Sequence, residues 1–144
     1  MKAISIGVLC GSIMGLFLWF IEHFTGVTVY RLLVNVDYLP GFKGLAIPAW
    51  MEFGLHLVVS VAVCVAADYA NRNGLLGPTR RSHALRFGVI MIVIGALLFP
   101  TTILSDQAPT PLMNDSAAWG WWLFAHAGYG VIVGWWLSAP KEEQ

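Results

Sequence analysis

Charged residues are scarce in this chain. Of its 144 residues only 11% are Asp, Glu, Lys or Arg, whereas 58% are hydrophobic, and the mean hydropathy is +0.71. An ordinary soluble domain carries roughly a quarter charged residues. The composition therefore argues against a water-soluble domain and favours an integral membrane protein. The formal net charge is zero, which gives no reason to expect a nucleic-acid partner.

Cysteine and catalytic motifs are scarce as well. The two cysteines, Cys10 and Cys64, both fall inside hydrophobic runs, so neither a disulfide framework nor a cysteine-based metal site is expected. The sequence has no recognisable nucleophile–base pair, phosphate-binding loop or pair of catalytic carboxylates. An enzyme is therefore the least supported class of protein.

What the chain does have is four long hydrophobic runs. A helix needs about 20 apolar residues to cross a bilayer, and the four runs predict an all-α membrane protein, a single domain over residues 1–144 with four membrane-spanning helices. These helices are predicted at about residues 3–24, 47–67, 87–104 and 117–137. The first run is longer than the apolar part of a secretory signal, which has about 7–15 residues, and no Ala-x-Ala cleavage site follows it. We expect it to be retained as a helix.

The basic residues predict the orientation of these helices. Arg72, Arg80, Arg81 and Arg86 lie between the second and third runs, and no Lys or Arg lies between the third and fourth. Basic loops stay in the cytoplasm, so both termini are predicted on the cytoplasmic side. The membrane is predicted to be the inner membrane of a bacterium. His83, among these arginines, is expected on the surface. The first outer loop contains a largely apolar stretch, residues 29–39, which could form a short helix lying at the membrane interface.

Small residues recur on one face of the first and fourth runs. Gly7, Gly11 and Gly15 are spaced by four, and so are His126, Gly130 and Gly134. Residues four apart lie on the same face of a helix, and small residues let membrane helices approach each other closely. The five glycines are therefore predicted to be helix-packing positions.

Acidic residues and histidines occur within or beside these runs. Glu52 and His56 share one face of the second helix, His126 lies in the fourth, and Glu22 lies near the outer end of the first. Both histidines lie about nine residues from the outer ends of their helices, roughly 13 Å deep at 1.5 Å per residue. Ionisable groups inside a bilayer are costly and often functional. We therefore predict a polar cluster of Glu22, Glu52, His56 and His126 in the outer half of the protein.

Several roles for this cluster remain open. The side chains could form hydrogen bonds that fix helix packing, or they could handle protons or a small solute. His56 and His126, at matched depth, are also candidate ligands of haem b or a transition metal. The chain has a single Glu-x-x-x-His, whereas di-metal helical proteins carry two Glu-x-x-His motifs, so no cofactor is predicted from these residues.

The order of several short motifs carries a family resemblance. These are the segment from His56 to Ser60 with Asp68 after it, then Phe99-Pro100, the prolines Pro109 and Pro111, the tryptophans from Trp119 to Trp122, and His126. In this order they resemble the YagU-like proteins, a family without an assigned biochemical activity. Members have a longer connection between the first two helices than this chain has. The resemblance implies a small multi-helix inner-membrane protein and supplies no catalytic residues.

Three functional hypotheses follow from the sequence. The first is a membrane protein whose outer polar cluster handles protons or a small solute. The second is an accessory subunit of a larger membrane complex. The predicted partners are the lipid bilayer and either further copies of this chain or such a complex. The third is a redox protein that binds haem or a metal.

Overall fold

The structure is a computed structural model that describes residues 2–35, 41, 45, 47–105 and 110–138. These residues form five helices and no strand. The helices are α1 (Lys2–Thr25), α2 (Val29–Val34), α3 (Ala49–Arg72), α4 (Arg80–Ser105) and α5 (Ser116–Leu137). Each of the four hydrophobic runs coincides with one long helix, except that residues 47 and 48 of the second run precede α3.

Two helices extend further than their hydrophobic runs. α3 continues to Arg72 instead of ending near residue 67, and α4 begins at Arg80 instead of near residue 87. Hydrophobicity marks the part of a helix that avoids water, whereas the helix itself continues as long as its local hydrogen bonds are supported. Arg72 donates to Asp68 at 2.6 Å, one turn earlier in α3. At the start of α4, the backbone N–H of Ser82 donates to the hydroxyl of Thr79 at 3.1 Å, as an N-terminal cap does.

Three of the long helices are able to cross a membrane. α1, α3 and the segment Arg80–Ile103 of α4 are long and apolar enough to do so, which indicates a multi-pass membrane protein. α5 has 22 residues and none of them is charged. Its sequence, which includes several tryptophans and glycines together with His126 and Tyr129, does not reach the hydropathy that the other three helices reach over a membrane-spanning length. The fourth membrane span therefore stays a prediction.

The long helices do not pack in chain order. α4 packs mainly on α5, α5 packs on α1, and α1 packs on α3, whereas α3 and α4 scarcely touch although they are consecutive in the chain. The result is an open row, α3–α1–α5–α4, in which α3 and α4 stand on either side of a gap.

The five predicted packing glycines lie at the closest contacts of this row. A Cβ atom on Gly7 would lie 2.7 Å from the Cα of Val61, and one on Gly15 would lie 2.5 Å from the ring of Phe53. Gly11 faces Ser60 in the same α1–α3 interface, while Gly130 and Gly134 face the backbone of α4. At Gly7, Gly130 and Gly134 the nearest atoms are backbone atoms, so any larger residue would push these helices apart.

The short helix α2 differs from the predicted interfacial helix. It begins at residue 29 as expected, but Val29 and Leu32 have no exposed surface, and the helix contacts all four long helices. Its apolar side is therefore covered by protein instead of by lipid headgroups. Residues 36–39 of the predicted segment lie outside the described residues. We call the end of the molecule where α2 packs the α2 end.

Candidate ligand-binding cavity between α3 and α4

The gap between α3 and α4 contains a cavity of about 260 Å³. Its side walls are α3 and α4, its back wall is formed by Met14 of α1 and by Trp122, His126 and Tyr129 of α5, and Leu32 and Leu33 of α2 close one end. Most of the lining side chains are apolar. From Thr102 to Met91, the lining residues of α4 extend about 16 Å along the helix axis at 1.5 Å per residue.

The cavity is open on one side. Two of its lining residues, Val58 and Val59 of α3, are 64% and 44% exposed. None of the helices that the structure describes covers the slot between α3 and α4. A molecule could therefore enter from the side of the protein, between two helices that are apolar enough to lie in a membrane.

His56 stands on the α3 wall and is bonded to α1. Its Nε2 lies 3.1 Å from the carbonyl oxygen of Gly11. The contact is possible because Gly11 has no side chain to separate the two helices: a Cβ there would lie 2.7 Å from Ser60 Oγ. One glycine thus brings the helices together and also supplies the acceptor that orients His56.

His126 is held at the back of the cavity and is 4% exposed. Its Nδ1 lies 2.8 Å from the carbonyl oxygen of Trp122, one turn earlier in α5. The ring packs on Gly95 of α4, where a Cβ would lie 2.8 Å from its Cγ. Trp122 Nε1 donates to the carbonyl oxygen of Gly95 at 2.8 Å, and this bond ties the same two helices together.

A group of hydroxyls forms the deeper part of the wall. The Tyr129 hydroxyl donates to the carbonyl oxygen of Ser60 at 3.0 Å, and the Ser60 hydroxyl donates to the carbonyl oxygen of Gly7 at 2.7 Å. The Tyr129 oxygen also lies 3.3 Å from Cys64 Sγ. Tyr129 was missed from the sequence, although its position three residues after His126 puts both on one helix face.

Glu22, in the last turns of α1, bonds to α2 and does not line the cavity. Its Oε2 accepts hydrogen bonds from the backbone N–H groups of Tyr30 at 2.8 Å and Arg31 at 2.9 Å. Its Oε1 lies 3.1 Å from Nε of Arg31. Glu22 therefore caps the first turn of α2, where unpaired N–H groups favour a negative charge.

Glu52 lies at the α2 end as well. It is partly exposed and does not line the cavity. Burial raises the pKa of the Tyr30 hydroxyl above its ordinary value, and the negative charges of Glu52 and then Glu22 raise it further. The predicted four-residue cluster thus divides: His56 and His126 share the cavity, while both glutamates lie near α2.

Metal ligands are not gathered around the two histidines. Among the described residues, no three His, Cys, Asp or Glu side chains are close enough together to hold a metal ion. His56 and His126 line one cavity, so they stay the candidate ligands for any cofactor, each through its one remaining nitrogen.

His83 is a correction to the sequence analysis. It was expected on the surface, but it is only 8% exposed and its Nε2 bonds to the carbonyl oxygen of Gly77. Its backbone also forms part of the contact with Gly134. Close packing of α4 on α5 draws it inward, and the arginines around it remain exposed.

The apolar helices and the cavity indicate that this is a helical, multi-pass membrane protein with a cavity that opens to its side. Compared with known protein families, curated proteins and solved structures, the chain has no significant match.

Proposed function

We propose that this chain is a bacterial inner-membrane protein that binds a small lipid-soluble molecule in the cavity between α3 and α4. The observation that carries the proposal is a cavity that opens to the side of the protein and is lined by two histidines, His56 on its α3 wall and His126 at its back. His56 and His126 bind the polar group of the molecule, and the apolar walls bind the rest of it. This arrangement matches the general form of small-molecule sites, which are mostly apolar with a few placed polar groups.

Helix packing alone is a weaker explanation of the two histidines. Protein interiors are close-packed, and voids larger than a water molecule are few. The histidines instead border about 260 Å³ of unfilled volume, which a bound molecule would occupy.

The proposed orientation follows the basic residues. Both termini and the Arg-rich connection between α3 and α4 lie in the cytoplasm, and α5 is the fourth membrane span because it packs along both α1 and α4. The α2 end then faces the outside.

The test is whether a side chain that fills the cavity displaces a bound molecule. Ile94 of α4 lines the cavity, and Ile92, two residues earlier, is exposed and does not. We expect native mass spectrometry of the purified protein to find a small molecule bound to the wild type and to Ile92→Trp, and much less bound to Ile94→Trp. Equal occupancy in all three proteins, or none in the wild type, would contradict the proposal and favour an accessory subunit. A Soret band or bound metal in the wild type would instead favour the redox protein.

A further inference from the structure

We infer that the cavity selects lipid-soluble molecules that carry a hydroxyl group, and that the acceptor nitrogen of His126 or of His56 accepts the hydroxyl proton in a hydrogen bond. This inference rests on the proposed function and names the chemical class of the ligand. The choice of a hydroxyl group follows from the hydrogen bonds that the polar groups of the cavity make within the protein, because these bonds decide which atoms are left to pair with a ligand.

The first step concerns the tautomers of the two histidines. A carbonyl oxygen can only accept, so the ring nitrogen that faces it must carry the proton. This places the proton of His56 on Nε2, facing Gly11, and that of His126 on Nδ1, facing Trp122. An uncharged imidazole has one N–H and one acceptor nitrogen. The remaining nitrogens, Nδ1 of His56 and Nε2 of His126, are therefore acceptors, and neither has a hydrogen bond within the described residues.

The second step concerns the hydrogen-bond donors around the cavity. The Ser60 proton is directed to Gly7, and the Tyr129 proton is directed to Ser60. The indole N–H of Trp122 is directed to Gly95. At the α2 end, the Asn35 amide donates to the carbonyl oxygen of Thr102 at 3.3 Å. These donors are engaged within the protein, so the polar groups beside the histidines offer lone pairs and few protons.

The third step is the match with a ligand. A hydroxyl group gives its proton to one of the two imidazole nitrogens and so pairs one acceptor of the cavity. A ketone or ether oxygen has no proton to give, so both its lone pairs and those of the histidines would be buried without partners. An unsatisfied buried polar group is costly enough to change affinity about tenfold. The ligand reaches the histidines from the side, between α3 and α4, with its apolar part against the walls.

The inference is tested with a matched pair of probes, 1-naphthol and 1-methoxynaphthalene. Both present the same aromatic rings, and only the naphthol can donate a hydrogen bond. Binding to the protein in lipid nanodiscs is measured by isothermal titration, with empty nanodiscs subtracted. We expect the wild type to bind naphthol about tenfold more tightly than the ether, and Ile94→Trp to bind neither.

Histidine variants show whether this preference arises at the proposed atoms. His126→Leu and His56→Leu should each weaken the binding of naphthol more than that of the ether, and the ether binding that remains shows that the variant is folded. His23→Leu is the control, because His23 is exposed and stacks on Trp19 outside the cavity.

The outcomes separate the two proposals. Equal binding of both probes, tighter binding of the ether, or a naphthol preference that survives in the double variant His56→Leu/His126→Leu would overturn the hydroxyl inference and keep the cavity as a binding site. The hydroxyl inference fails if the wild type binds neither probe. It also fails if Ile94→Trp binds the probes as well as the wild type does. If native mass spectrometry then also finds no displaceable molecule, the proposed function fails with it.

Discussion

At the scale of single residues, glycines determine where the histidines are. Gly11 lets α3 approach α1 closely enough for His56 to reach a backbone carbonyl, and Gly95 makes room for the ring of His126. The absence of a side chain is a structural requirement at both positions. A polar atom can bond to the main chain of a neighbouring helix only where the two backbones come close.

Replacing Gly11 should therefore disrupt more than packing. In Gly11→Leu the new side chain collides with Ser60 and separates α1 from α3, so we expect a loss of about 1–3 kcal/mol in the free energy of unfolding. Thermal unfolding in detergent would measure it. Gly54→Leu is the matched control, because a Cβ at Gly54 meets nothing within 4 Å. An equal effect of the two substitutions would mean that Gly11 is not a contact position.

At the scale of elements, α2 is positioned by one carboxylate. The helix has six residues, too few to be stable alone in water, and Thr28 makes no side-chain cap. Glu22 supplies the missing acceptor from the last turns of α1, and the burial of Val29 and Leu32 holds the helix against the long helices. A segment that would be unstructured by itself becomes the cover at one end of the cavity.

Removing this acceptor should loosen α2. In Glu22→Ala we expect the amide protons of Tyr30 and Arg31 to exchange roughly fivefold faster or more, since loss of a cap costs about 1 kcal/mol. Hydrogen exchange followed by mass spectrometry would detect the change. Glu22→Gln retains an acceptor oxygen and loses the negative charge, including its pairing with Arg31, whose side chain is 55% exposed. It should exchange nearly as the wild type does, and fast exchange in this variant would show that charge, not the hydrogen bond, holds the helix.

At the scale of the whole molecule, the packing order of the helices creates the cavity. If α3 packed on α4, its neighbour in the chain, the space between them would be filled with side chains. Instead, α3 packs on α1 and α4 packs on α5 through glycine faces. The facing sides of α3 and α4 therefore stay apart. The connection between them, residues 73–79, contains Gly74 and Gly77 with φ angles of 71° and 100°, a region that side chains other than glycine rarely adopt.

The proposed orientation of the molecule gives a prediction at this scale. Leu112, before α5, and Asn73, after α3, are both exposed and lie at opposite ends. We expect Leu112→Cys to react with a membrane-impermeant maleimide on intact spheroplasts, and Asn73→Cys to react only after lysis. The native Cys10 and Cys64 are buried and should stay unlabelled. The reverse pattern would invert the topology and place the α2 end in the cytoplasm.

The sequence by itself determined the helices, because hydrophobicity and helical spacing are local properties. The runs predicted where the long helices of the structure lie, and a spacing of four singled out Gly7, Gly11 and Gly15 before any partner helix was known. The same spacing placed Glu52 and His56 on one face of α3. Helix ends such as Arg72 and Arg80 were less predictable, since a helix can continue beyond the apolar run that reveals it.

Only the tertiary structure decided which of these side chains meet. Glu22, Glu52, His56 and His126 were indistinguishable as one polar cluster because depth along a helix is readable from sequence, whereas the packing order of helices is not. That order brought His56 and His126 to one cavity with Tyr129, and left Glu22 to cap α2. It also decided which ring nitrogen of each histidine carries the proton. The acceptors that decide this are the main-chain carbonyl oxygens of Gly11 and Trp122, and because every residue has such an oxygen, the sequence does not show which one faces a histidine.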